Sequence, residues 1–204
     1  MRKTEIFHKE KLIDLFTKSK TVIDIGGGLR ISKKKGNRYN KNNEWMLSYL
    51  DQVEYKILDP VPDYDPDIVG DIHALPFADN SQDAIVCMSV LEHVEDPITA
   101  TKELYRVLKP GGLCFVYVPF LYYYHAEKDY YADYWRFTDD ILRVLFKNFS
   151  HLEIRNADGA LVTWLRISPL GRFKFLVVLM AVLDRVFNKE ESKQTSGYYL
   201  YLKK

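Results

Sequence analysis

Short apolar runs typical of buried strands alternate along this chain with segments in which apolar residues recur at helical spacing. The strand-like runs are residues 21–26, 53–60, 67–71, 81–90, 113–119, 151–156 and 197–204. The helical segments between them are residues 4–19, 44–50, 96–109, 138–149 and 173–187. Because strands that alternate with helices form a mostly parallel sheet covered by those helices, the pattern predicts a single α/β domain over residues 1–204.

Three consecutive glycines, Gly26, Gly27 and Gly28, form the turn that ends the first strand-like run. Glycine has no Cβ, so such a turn lets the backbone approach a ligand closely at the carboxyl edge of the sheet. A dinucleotide fingerprint would need a third glycine where Ile31 stands, and the Gly-Lys-Ser/Thr ending of a phosphate-binding loop is absent. Asp24 would repel a pyrophosphate, so the pattern favours a cationic, amino-bearing cofactor.

Five motifs in order occupy the stretch from Thr21 to Pro119, about half of the chain. They are VIDIGGG, ILDP, GDIHALPFADNSQDAIVC, SVLEHVEDP and ELYRVLKPGGLCFVYVP. Together they resemble the class I S-adenosylmethionine-dependent methyltransferases. The resemblance implies a Rossmann-like fold, with helices on both faces of a mostly parallel seven-stranded sheet that has an antiparallel C-terminal strand.

The resemblance also implies a binding site for the cofactor S-adenosylmethionine. The glycines would approach its methionine part, Asp59 would bind the ribose hydroxyls, and Asp71 would accept from the adenine amino group beside Ile72. The full expected set is Asp24, Gly26, Gly27, Gly28, Asp59, Pro60, Asp71, Ile72 and Val90. The basic segment 29–43 is interpreted as an insertion between the first two motifs.

The connection at residues 119–140 carries seven tyrosine or tryptophan residues, and we predict that it forms a lid over the acceptor. His125 is the expected general base, with Asp133 or Asp129 orienting it, and His93 is the second catalytic candidate. The H…DYWRFT pattern in this connection resembles a subgroup of these methyltransferases associated with bacterial surface-glycan and lipid-linked sugar pathways.

Substrate binding in the same connection is expected from Tyr124, Asp129, Tyr134 and Arg136. Arg136 would hold an anionic group such as a carboxylate or phosphate. The alternative is a structural clasp, in which Trp135 and Phe137 enter the core and Arg136 pairs with an acid.

A hydrophobic helical insertion is predicted at residues 161–190. Its nine consecutive apolar residues, from Phe175 to Leu183, are about half of what a membrane-spanning helix needs. Basic residues surround this apolar run, so residues 161–187 are expected to contact an anionic membrane surface, a sheet edge or a second copy in a homodimer.

The composition excludes several classes of function. The net charge of +1 gives no reason to expect a nucleic-acid partner, and the five histidines show no metal-ligand spacing, so we expect metal-independent chemistry. Cys87 and Cys114 lie in strand-like runs and are expected to be buried free thiols. The first residues contain no uninterrupted apolar run, so no signal peptide and a cytoplasmic location are expected.

The sequence therefore predicts methyl transfer from S-adenosylmethionine to a hydroxyl of a small or lipid-linked sugar-like acceptor, by direct displacement. Two alternatives stay open at this point. One is a non-catalytic cofactor-binding module that associates with a membrane or partner. The other is a nicotinamide-dependent oxidoreductase, against which the residue at position 31 counts.

Overall fold

A seven-stranded sheet forms the centre of the computed structural model, which describes residues 3–33 and 39–204. The strands are β1 (Thr21–Ile25), β2 (Glu54–Asp59), β3 (Ile68–Val69), β4 (Gln82–Met88), β5 (Leu108–Pro119), β6 (His151–Asn156) and β7 (Gly197–Lys203). Their order is β3-β2-β1-β4-β5-β7-β6, and β7 runs antiparallel to both of its neighbours. The predicted fold class is confirmed.

The helices are α1 (Lys3–Lys18), α2 (Leu47–Leu50), α3 (Pro97–Val107), α4 (Asp139–Leu145), α5 (Ala160–Arg166) and α6 (Lys174–Val186). Most of them lie where helical spacing predicts them. The segment predicted as a helix at 44–50 is instead a 3-10 helix, Lys41–Met46, followed by the single turn of α2. Of the basic segment 29–43, residues 34–38 lie outside the described residues.

The inner strands of the sheet carry apolar residues at successive positions and not only at every second one. Both faces of the sheet are therefore apolar, and helices cover both. Ile23 and Ile25 of β1 face the helices α3 and α4, as do Ile85 and Cys87 of β4. Val22 belongs to the opposite cluster, which packs against α1. Side chains alternate between the faces of a strand, so this continuous burial produces two cores, one on each side of the sheet.

The carboxyl ends of β1, β2, β4 and β5 meet at one edge of the sheet, because these strands are parallel. The strand β6 points the same way, since both it and β5 are antiparallel to β7. The connection 119–140 and the pair α5–α6 therefore both leave the sheet at this edge. Asp184 of α6 joins the pair by accepting from the Leu161 and Val162 amides at 2.8 and 3.1 Å.

Candidate active site

The glycine turn after β1 lies so close to the end of β4 that side chains would not fit. A Cβ on Gly26 would lie 2.6 Å from Val90 Cγ2, and a Cβ on Gly28 would lie 2.6 Å from the Met88 carbonyl oxygen. Gly26 and Gly27 also have positive φ angles of 74° and 60°. Steric fit and backbone conformation thus both require glycine here, and the bare backbone borders a cavity.

Asp24 lies behind this turn and is not among the residues that line the cavity, so its part in cofactor binding stays a prediction. Asp24 is two residues after Val22 in β1, and side chains alternate between the faces of a strand. Its side chain therefore points to the same face as that of Val22, which α1 covers. One carboxylate oxygen accepts from the Leu29 amide at 3.1 Å and from the Tyr55 hydroxyl at 2.6 Å. Burial raises the pKa of Asp24 to about 7, although both hydrogen bonds act to lower it. Asp24 anchors the loop.

A cavity of about 490 Å³ opens in front of the turn, within the size range of small-molecule sites. Its walls contain most of the expected cofactor-binding residues, namely Gly26, Gly27, Gly28, Asp59, Pro60, Asp71, Ile72 and Val90. They meet because the residues that follow parallel strands gather at one edge of the sheet. Their individual contacts with the cofactor stay predictions.

Two carboxylates line the part of the cavity that follows β2 and β3. Asp59 ends β2 and accepts from the Val61 amide at 2.8 Å; burial raises its pKa despite that bond. Asp71 begins a 3-10 helix by accepting from the His73 amide at 2.8 Å. Ile72, between Asp71 and His73 in the chain, is 4% exposed and presents an apolar surface suited to an aromatic ring.

The opposite wall contains Glu92, His93 and His125. Glu92 Oε1 lies 3.7 Å from His125 Nε2 and 3.9 Å from His93 Nε2. The two imidazole rings meet edge to face with centroids 4.8 Å apart. The nearby Glu92 carboxylate raises the pKa of His125, and burial acts in the opposite direction. No motif in the sequence predicts a role for Glu92 or a metal site, yet these three side chains could together hold a metal ion.

A buried ion pair holds the connection 119–140 in place. Asp133 has a fully buried side chain and binds both terminal nitrogens of Arg136, at 2.6 and 2.7 Å. Asp133 also accepts a hydrogen bond from the His125 amide at 2.8 Å, and its Oδ2 atom lies 3.2 Å from His125 Nδ1. The Arg136 guanidinium lowers the pKa of Asp133 to about 2, against the effect of burial. Asp133 therefore contacts both the amide and the ring of His125, and its role in orienting a catalytic base stays a prediction.

Arg136 pairs with Asp133 and is not among the residues that line the cavity, which matches the alternative of a structural clasp; its contact with an anionic substrate stays a prediction. Besides Asp133, it donates to the carbonyls of Tyr122, Tyr123 and Trp135. Two other expected substrate-binding residues, Tyr124 and Asp129, are exposed and do not line the cavity either. Tyr134 does line it and donates to Glu95 at 3.1 Å. Phe137 enters the core, whereas Trp135 is 42% exposed.

Several tyrosines that sequence reasoning did not single out line the cavity: Tyr64, Tyr117, Tyr122, Tyr130 and Tyr131. Tyr64 and Tyr130 stack with ring centroids 5.2 Å apart, which joins the connection 119–140 to the loop after β2. The signal available in the sequence was the density of tyrosines in that connection, which does not tell which rings turn inward.

The cavity suits a cofactor with a sulfonium and an adenosine group. Four acids line it, Asp59, Asp71, Glu92 and Glu95, against one arginine, Arg30. This excess of acids favours a cationic ligand. The narrow glycine turn, the acid that ends β2 and the apolar Ile72 wall match the methionine, ribose and adenine parts of S-adenosylmethionine.

The sheet and the cavity together have the architecture of the class I S-adenosylmethionine-dependent methyltransferases. Residues 23–116 match the model of the family described as "Methyltransferase domain". The class and the cofactor predicted from the sequence are confirmed, and the nicotinamide alternative is set aside.

Solved structures share the fold over nearly the whole chain. An S-adenosylmethionine-dependent methyltransferase from Archaeoglobus fulgidus is 13% identical with a TM-score of 0.63, covering 98% of this chain and 94% of that one. Phosphoethanolamine N-methyltransferase 2 of Haemonchus contortus, solved with S-adenosyl-L-methionine, is 14% identical with a TM-score of 0.51. The match covers 96% of this chain and 52% of that one.

Curated relatives match over a shorter stretch. Demethylmenaquinone methyltransferase of Renibacterium salmoninarum is 53% identical over 45 residues, which is 22% of this chain and 19% of the relative. Over eight such relatives, the chain spans 13% to 32% of the relative's length. The similarity therefore does not extend to an acceptor.

Proposed function

We propose that the protein transfers the methyl group of S-adenosylmethionine to a hydroxyl oxygen of a small or lipid-linked sugar-like acceptor. One observation carries the proposal: the cofactor residues and the cluster of Glu92, His93 and His125 are walls of the same cavity. The cofactor, when bound, supplies an electrophilic methyl group. The protein must then hold an acceptor oxygen in line and help to remove its proton.

His125 is the proposed base. The main-chain carbonyl of Tyr123 and the carboxylate of Asp133 both lie 3.2 Å from Nδ1, so this nitrogen carries the proton of the neutral ring. The other nitrogen, Nε2, keeps its lone pair and lies 3.7 Å from Glu92 Oε1, and both residues line the cavity. A base positioned in this way contributes on the order of 10²- to 10⁴-fold to the rate.

The aromatic wall supports a ring-shaped acceptor. Tyr122, Tyr131 and Tyr134 offer flat apolar faces with hydroxyl groups at their ends, which suits both the faces and the polar rim of a sugar. A quinol ring would fit the same wall, and relatives named demethylmenaquinone methyltransferase favour it as a second candidate acceptor. The first candidate predicts a methyl ether, and the second predicts a new carbon–methyl bond.

The pair α5–α6 supports an acceptor that is linked to a lipid. Large apolar side chains of α5 and α6 are exposed, among them Trp164, Phe175, Val178, Val182 and Val186, all more than half exposed. Arg172 and Lys174 adjoin this apolar face and would complement anionic headgroups. Among the described residues, no helix is both long and apolar enough to cross a bilayer. We propose that the face rests on an anionic membrane at the edge of the sheet where the cavity opens.

Isotope-labelled methyl transfer tests the proposal. The purified protein is incubated with methyl-labelled S-adenosylmethionine and either lipid-linked saccharides or reduced quinones, and the labelled product is analysed by mass spectrometry. A labelled methyl ether on the saccharide supports the proposal, and a labelled ring carbon on the quinol favours the second candidate. Binding of the cofactor without any transfer would support the non-catalytic module instead.

His125→Gln tests the base separately. Glutamine keeps the size and polarity of the ring edge but has no basic nitrogen. The proposal predicts that the rate of transfer falls by on the order of 10²-fold or more while the cofactor dissociation constant is unchanged. An unchanged rate would exclude His125 as the base.

A further inference from the structure

Glu92 has an environment that the protein alone does not satisfy. Its side chain is 1% exposed, and neither carboxylate oxygen has a hydrogen-bond partner among the described residues. A buried carboxylate without a partner is strongly unfavourable, because the desolvation of its charge is uncompensated. The Nε2 atoms of His125 and His93 lie 3.7 and 3.9 Å from Glu92 Oε1, and both distances are longer than a hydrogen bond.

The outer nitrogens of both histidines are already occupied. His93 Nδ1 lies 2.6 Å from the Ala132 carbonyl oxygen, and His125 Nδ1 lies 3.2 Å from the Tyr123 carbonyl oxygen. A carbonyl oxygen can only accept, so in the neutral rings both protons sit on Nδ1. Both Nε2 lone pairs then face the carboxylate. While both rings are neutral, three electron-pair donors therefore converge with no proton between them.

This arrangement is the one that metal-binding histidines show in proteins. A ligating imidazole donates its other N–H to a backbone carbonyl or a carboxylate, which fixes the tautomer and the orientation of the ring. His125 has both kinds of partner, since Asp133 lies against the same nitrogen at 3.2 Å. The Asp133–Arg136 pair in turn fixes the carboxylate that holds His125.

The distances suit a small divalent ion. One ligand atom from each of the three residues lies within 4.8 Å of the others. Metal–nitrogen and metal–oxygen bonds of about 2.0 to 2.2 Å would bring the ligand atoms to roughly 3.5 Å from one another, so the widest separation would close by a little more than an ångström. Two imidazoles and one carboxylate match the preferences of zinc and of the neighbouring divalent transition metals, and they leave coordination positions open.

We infer that Glu92, His93 and His125 bind one divalent transition-metal ion, and that its open coordination positions face the acceptor side of the cavity. The inference rests on the proposed methyl transfer and deepens it. A hydroxyl bound to such an ion would have a lower pKa and would release its proton to water, so its deprotonation would not need the His125 base that acts in the ion-free protein. The ion and the acceptor proton are alternative partners of the same Nε2 atom.

Metal binding by the purified protein tests the inference directly. The protein is treated with a chelator and dialysed, and it is then titrated with Zn²⁺ by calorimetry and with Co²⁺ by absorption spectroscopy. We expect one ion per chain, with visible Co²⁺ bands that report nitrogen and oxygen ligands. We expect Glu92→Gln and His93→Gln each to weaken binding by at least 100-fold, while His151→Gln, at an exposed histidine of β6, binds like the wild type.

Cofactor binding shows whether each variant is folded, so S-adenosylmethionine is titrated into each of them. A variant that binds cofactor but not the ion supports the site. If Glu92→Gln binds neither the cofactor nor the ion, the metal site is tested with His93→Gln and His125→Gln instead. Absence of a 1:1 ion in the wild type, or equal Co²⁺ binding by wild type and cofactor-competent variants, would overturn the inference.

Methyl transfer measured with and without the ion separates this inference from the proposed function. If methyl transfer is equally fast in chelator and the protein binds no ion, the metal site is excluded and the proposed function stands. A bound ion without transfer to any acceptor would leave the metal site standing and remove the proposed function.

Discussion

Glu92 Oε1 lies 3.7 Å from His125 Nε2, although the two residues are 33 positions apart in the chain. Glu92 follows β4 and His125 follows β5, and these neighbouring strands are parallel. Parallel pairing therefore brings both residues to the edge of the sheet where the glycine turn lies. This contact lies in the part of the cavity wall that we assign to the acceptor.

The steric fit of the glycine turn predicts a difference between two glycines that share a backbone conformation. Gly26→Ala combines a positive φ with a Cβ 2.6 Å from Val90, so it should lower the free energy of unfolding by about 2–4 kcal/mol and weaken cofactor binding. Gly111→Ala has a φ of 80° but 3.7 Å of clearance, so it should lower that energy by only about 1 kcal/mol. Denaturant unfolding and cofactor titration measure both effects, and equal losses would contradict the steric account.

The buried pair of Asp133 and Arg136 predicts a large loss of stability when one partner is removed. Asp133→Asn should lower the free energy of unfolding by about 1.5–3 kcal/mol, because the half-buried guanidinium loses its charged hydrogen-bond partner. Asp139→Asn breaks the exposed pair with Arg143 and should change it by less than about 1 kcal/mol. Thermal unfolding of the two variants makes the comparison. Similar losses would mean that the first pair is not the clasp of the connection 119–140.

The exposed apolar face of α6 predicts binding to anionic vesicles. The double substitution Val178→Glu and Val182→Glu should abolish sedimentation with vesicles that contain phosphatidylglycerol, since it puts two negative charges on the contact face. Val144→Glu, at a residue of α4 that is 59% exposed, is the control and should sediment like the wild type. If wild type fails to sediment, or if it behaves as a dimer that the double variant disrupts, the membrane assignment is wrong.

The lowered pKa of Asp83 predicts that the fold loses stability in acid. Burial opposes its ionisation, but hydrogen bonds from Lys109 and from the amides of Thr21 and Lys20 outweigh that effect and lower its pKa below 3.8. A folded-state pKa below the unfolded value stabilises the fold above pH 3.8, and this contribution disappears as the pH falls through the folded-state pKa. Unfolding free energies measured across that range should fall less steeply for Asp83→Asn than for the wild type. Parallel curves would refute the role of Asp83.

The fold was predictable because its signals are local. Apolar runs placed all seven strands, and helical spacing placed most of the helices. The cofactor wall was predictable for a related reason: the residues that follow parallel strands must gather at one edge, so Gly26, Asp59 and Asp71 could be assigned together.

The rest of the site depends on contacts that no local pattern encodes. Asp24 points away from the cavity because it shares a face of β1 with Val22. Which face of the strand α1 covers is set by tertiary packing and not by the local sequence. Arg136 pairs with Asp133 three residues earlier, a geometry set by an irregular connection. The burial of Glu92 between two histidines from separate connections is a tertiary result, so no ligand spacing shows in the sequence.

Calorimetric titration of the wild type and of Asp59→Ala with S-adenosylmethionine tests the central claim most directly. Asp59 ends β2 inside the cavity, and the loss of hydrogen bonds to a charged carboxylate should weaken binding by about 10- to 100-fold. Asp63→Ala, at an exposed residue of the next turn, is the control and should bind like the wild type. We predict 1:1 binding by the wild type and the stated loss in Asp59→Ala. Failure of the wild type to bind, or equal binding by Asp59→Ala, would contradict the assignment of this cavity.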